Sequence, residues 1–174
     1  MRIATRTAEG WFLLGAAILV LAATATAAIN LRNDPNAFLG IPWGSSLAER
    51  QDMTLSNSNG AIKEYTHKDG PLPFADAHVD MMRFLAVEDQ FARVIIRYRG
   101  KANHDRILSY LESQYGAIER IPGQMTRGLN QQYNWRGTDT EINVTYQSQG
   151  ERGFLSFDSR MLSPRFLDSL PDSS

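Results

Sequence analysis

The chain has 174 residues, 18 Lys and Arg against 19 Asp and Glu for a formal charge of −1, and no cysteine. Such a length suits one domain with an ordinary hydrophobic core, and the near balance of charge argues against nucleic acid, which demands a marked basic excess. The absence of cysteine excludes disulfides, a lipid-modified leader and a thiol nucleophile.

The amino end carries Arg2, Arg6 and Glu9 and then no charge until Arg32. Between them a dense apolar block runs from Trp11 to Leu21 and thins into small residues, with Ala25-Thr26-Ala27 as an A-x-A cleavage site. Residues 1–27 therefore read as a signal peptide, cleaved ahead of Ala28. The other reading keeps the segment as an inner-membrane anchor, since about 20 apolar residues span a bilayer. Both place the rest of the chain outside the cytoplasm, periplasmic or secreted, with membrane contact only through this segment if it is uncleaved. Loss of the leader takes the formal charge from −1 to −2. A flexible linker is expected over 28–37, one domain over 38–168 and a disordered tail over 169–174.

Inside the domain, Ser46 and Glu49 form a capping box, in which each side chain satisfies a free backbone N–H, and predict a short helix over 47–51. Asn57-Ser58-Asn59-Gly60 is a turn cluster that pairs 53–56 with 61–67 as a hairpin. Lys68-Asp69-Gly70-Pro71 breaks the chain ahead of strands over 77–86 and 91–99, joined by Val87-Glu88-Asp89-Gln90. In the second strand Ala92, Val94, Ile96 and Tyr98 share one face while Arg93, Ile95, Arg97 and Arg99 share the other, so one side packs and the other is wet.

Gly100 releases the chain into a helix with Asn103 as N-cap and Gly116 as its stop. Ile107, Leu108, Leu111 and Tyr115 make one apolar stripe along it. Strands follow over 131–136, 140–147 and 153–159 as a meander, and Ser163-Pro164 caps a last short helix through Leu167. The order α-βββ-α-βββ predicts an α+β fold: an antiparallel sheet of about six strands with helices packed on one face, arranged as a possible duplicated unit.

Phe38-x-Gly40-Ile41-x-Trp43-Gly44-Ser45-Ser46-Leu47, a strand containing Tyr65, and Leu111-x-x-x-Tyr115-Gly116 ahead of Tyr133-x-Trp135 resemble a group of small exported proteobacterial proteins without an assigned activity. The resemblance spans most of the mature chain and implies an exported address. The opening is also distantly similar to envelope domains with the helix-on-sheet fold of β-lactamase inhibitor proteins and outer-membrane assembly lipoproteins. The chain lacks the lipid-anchoring cysteine of the latter.

Potential ligands cluster only at Asp76-x-His78-x-Asp80. On a strand these would project from one face about 7 Å apart, wide for zinc, which wants three or four ligands converging at about 2 Å. No metal and no cofactor are expected, and His67 and His104 are expected at the surface. No serine lies in a Gly-x-Ser-x-Gly elbow, and no spacing selects a pair among the carboxylates. Trp43, Tyr65, Tyr98, Tyr110, Tyr115, Tyr133, Trp135 and Tyr146 supply aromatic surface for a core or an interface. The row Arg93, Arg97, Arg99 is the candidate binding feature. The expected function is a non-enzymatic envelope protein that binds a protein or small ligand; the alternative is a small periplasmic hydrolase whose carboxylates meet only in the fold.

Overall fold

A computed structural model describes residues 31–118 and 130–168. The expected leader and tail lie outside the described residues. The strands are β1 (Ala37–Phe38), β2 (Ile41–Pro42), β3 (Met53–Asn59), β4 (Ile62–His67), β5 (Met81–Val87), β6 (Gln90–Arg99), β7 (Asn130–Arg136), β8 (Thr140–Gln147) and β9 (Arg152–Ser159). Two helices, α1 (Lys101–Tyr115) and α2 (Arg165–Asp168), complete the described elements. No helix among the described residues is long and apolar enough to cross a membrane.

The α+β expectation is corrected. Strands make up 46% of the described residues and helices 15%, so the protein is mostly β. One antiparallel sheet in the order β3-β4-β5-β6-β9-β8-β7 accompanies the small β1–β2 pair. Four strands of this sheet precede α1 and three follow it, and β9 returns beside β6. The capping box makes no helix: Gly44 N–H donates to Phe91 O at 2.8 Å and Phe91 N–H donates to Ser45 O at 2.9 Å. Those bonds pin the segment to the start of β6, and Leu47 just beyond is buried. A run of about five residues gains too little from its own helical bonds to resist this.

Turn chemistry sets the hairpins. Glu88 and Asp89, at φ 51° and 63°, form the two-residue link between β5 and β6, in the left-handed geometry that matches strand twist. The ladder expected from residue 77 begins only at Met81, because Ala75 and Asp76 also adopt left-handed φ and close a tight loop from Phe74 to Ala77.

One sheet face is sealed. Phe84, Val94, Ile96, Phe157, Ile142 and Trp135 project into a single core with Ile107 and Leu111 of α1. Much of the remaining cover is chain without helical period: Phe38 and Ile41 of the β1–β2 pair, Leu47, Phe74 and Val79. Phe38 packs on Phe157 with ring centroids 4.9 Å apart, and Trp43 on Phe91 at 4.7 Å. The stretch expected to be a linker is anchored by Asp34, whose carboxylate accepts the backbone N–H groups of Thr138, Asp139 and Thr140 in the β7–β8 turn.

Candidate functional site

The opposite sheet face carries the charges. Its side chains form cross-strand rows fixed by register: Glu64, Leu85, Arg93, Asp158, Glu141 and Arg136 in one, and Met81, Arg97, Phe154 and Thr145 nearer the other end. Arg99 stands directly opposite Arg152.

Much of this face is internally neutralised. Arg93 donates from Nε to Asp158 Oδ1 and lays its guanidinium 4.7 Å from the Phe166 ring centroid. Ser156 Oγ donates to the other Asp158 oxygen at 2.8 Å. Arg83 donates to Glu64 at 2.7 Å, and Asn134 donates to Glu141 at 2.8 Å with Arg136 at 3.9 Å. Glu141 and Asp158 are thus a carboxylate pair on adjacent strands, as the hydrolase alternative requires, but each is already held by its own arginine.

The far end of β6 and β9 differs. Arg97 and Arg152 are exposed and have no ion pair among the described residues. Arg99, 72% exposed at its side chain, pairs among the described residues with Asp80 alone, 3.3 Å from Nε. The structure therefore splits the predicted row: Arg93 is a structural cation, Arg97 and Arg99 face solvent, and Arg152 joins them. Sequence reasoning missed Arg152 because β9 is 53 positions away and its place beside β6 is set by the topology.

At the other end of the same face, Phe166 of α2 is buried in a cluster with Leu85, Val87, Ala92 and Leu162, and beside it lies an open groove of about 360 Å³. Ile62, Leu85 and Phe166 give it apolar surface, Leu167 forms a rim that is 74% exposed, and Asn57 and Asn59 border it from β3. Neither asparagine side chain has a hydrogen-bond partner among the described residues.

Asp76, His78 and Asp80 do not converge on a metal. Among the described residues no group of three His, Asp or Glu side chains is placed to hold one; Asp80 faces Arg99, and the backbone N–H of His78 donates to Asn103 Oδ1. Asn103 lies inside α1 rather than capping it.

His104, expected at the surface, is 2% exposed. It stacks on Tyr146 at 4.0 Å, and Tyr98 O–H donates to its Nδ1 at 2.9 Å. Gln131 Oε1 lies 3.3 Å from Nε2 and also accepts from Tyr133 O–H at 2.8 Å, so the consistent tautomer carries its proton on Nε2. Burial pushes His104 below its ordinary value and Tyr98 above its own. Its spacing of three from Ile107 and seven from Leu111 was the available signal.

The aromatic set is spoken for in the same way: Tyr65, Tyr98, Trp135 and Tyr146 are buried, Trp43, Tyr115 and Tyr133 pack on the core, and Tyr110 is exposed, on α1. No protein-family model, no curated protein and no solved structure matches the chain.

Proposed function

We propose that the protein is an exported, non-enzymatic binding module of the cell envelope that takes an anionic partner on the open face of its sheet, through Arg97, Arg99 and Arg152. The leader pattern of residues 1–27 supports the address, periplasmic or secreted. The observation that carries the binding role is the opposed pair Arg99 and Arg152 beside Arg97, with Asp80 paired to Arg99 as their counter-charge among the described residues. Like charges set directly opposite across a ladder repel, so an anion placed over them gains an attraction that the free protein leaves unused. The attraction is between exposed groups and weakens with added salt.

A photo-cross-linking residue in place of Phe154, between these arginines, should capture a partner in native envelopes, whereas one in place of Glu112 on α1 should not. Arg97→Glu should lower that capture about tenfold at low ionic strength, less at high, with the thermal midpoint unchanged. Equal capture from both positions, or capture indifferent to Arg97→Glu, would refute the proposal.

A further inference from the structure

We infer that the anionic partner is an extended acidic segment of another polypeptide, seated by one apolar side chain in the groove between β3–β4 and α2. The inference rests on the anionic-partner reading above and adds a second contact to it.

Three features of the open face share one direction and one repeat. Arg93 borders the groove, and Arg97 and Arg99 follow it at four and six residues on the same side of β6. At about 3.3 Å per residue they stand roughly 13 and 20 Å along the strand. An extended chain lying over β6 has the same rise, so acidic side chains about four and six positions from its apolar anchor reach both arginines. Between the two ends, Ile95, Met81 and Phe154 are half-buried and give such a chain an apolar bed.

The groove is built for a side chain attached to a backbone. Ile62 and Leu85 offer a dry floor, while Leu167 stays in water beside it and would be covered by an occupant. Asn57 and Asn59 are two residues apart on β3, about 7 Å, which is the side-chain repeat of an extended peptide. Each carboxamide both donates and accepts, as a peptide group does. A free anion would satisfy the arginines and leave the groove unused. A lipid surface presents headgroups in a plane and has no single apolar side chain to place there.

The test uses the envelope-derived protein and a fluorescent, end-capped peptide of Ser and Thr carrying one Leu, with Glu about four and six positions beyond it. Anisotropy should report binding that falls about tenfold when the Leu is removed, when both Glu are moved next to it, with Leu167→Asp, or with Arg97→Glu. Both variants alter exposed side chains, and an unchanged melting curve certifies that each folds. Arg97→Glu abolishing binding while Leu167→Asp and the Leu-free peptide leave it intact would overturn this inference and spare the anionic reading. Binding indifferent to Arg97→Glu would overturn both. Vesicles of anionic phospholipid that compete for Arg97 better than the peptide does would assign the face to a membrane surface and overturn the peptide.

Discussion

On one side of β6, Val94, Ile96 and Tyr98 are withdrawn from water; on the other, Arg93, Arg97 and Arg99 alternate with them at the same backbone spacing. The first set is held by shape, with aromatic rings and aliphatic chains from several segments filling one core. The second is held by paired charges around Arg93, and at the Arg97–Arg99 end by the Asp80–Arg99 pair alone among the described residues. Substitutions on the sealed face should therefore act on stability, and substitutions at Arg97 and Arg152 on the proposed recognition.

The largest expected effect is on the sealed side. Trp135 is fully buried, and its Nε1–H donates to Gly116 O at 2.8 Å, so Trp135→Ala should lower unfolding free energy by about 3–5 kcal/mol in urea titrations. Leu111→Ala should cost about 2–5 kcal/mol; an unchanged thermal midpoint would remove α1 from the core.

A smaller loss should follow from adding bulk. Gly153 lies opposite Tyr98, and a Cβ there would overlap the tyrosine ring, so Gly153→Ala should cost about 1–3 kcal/mol by overpacking. The same substitution would be harmless if the Tyr98 ring were free to move, which its bond to His104 opposes.

The His104 cluster predicts a pH dependence. The folded protein resists a proton that the unfolded chain accepts near pH 6.5, because burial among Tyr98, Tyr133 and Tyr146 disfavours the charged ring and Lys101 adds to this, while the Gln131 bond and Asp105 oppose it. The neutral ring's contribution is complete above about pH 6.5 and is lost as pH falls from there through the lower folded value, with a slope of at most about 1.4 kcal/mol per pH unit. His104→Gln should flatten that slope in melts between pH 7 and 5, and a slope unchanged in the variant would place its origin elsewhere. At the bottom of the scale, Arg97→Glu should change stability by no more than about 0.5 kcal/mol.

What the sequence disclosed was local. Hairpins could be read because Glu88-Asp89 and Gly60 carry their own turn chemistry, although β3 runs on through Asn57 to Asn59, and the two faces of β6 could be read from strict alternation. The fold class could not, because Leu47, Phe74 and Val79 cover the sheet from irregular chain and Phe38 from a two-residue strand, with no period to detect, and because backbone bonds from Gly44 and to Ser45 overrode the capping box at Ser46. The site was half legible for the same reason. Arg97 and Arg99 were in view, but Asp158 beside Arg93 and Arg152 beside Arg99 depend on β9 returning next to β6 across the intervening helix and strands.

The claim that recognition lives on the open face is tested most directly by amide chemical-shift mapping of the full protein titrated with poly-L-glutamate at low salt. The account predicts shifts concentrated at Met81, Arg97, Arg99, Arg152 and Phe154, reversed by added salt and absent in Arg97→Glu. Shifts gathered on the exposed side of α1, or none at any salt concentration, would contradict it.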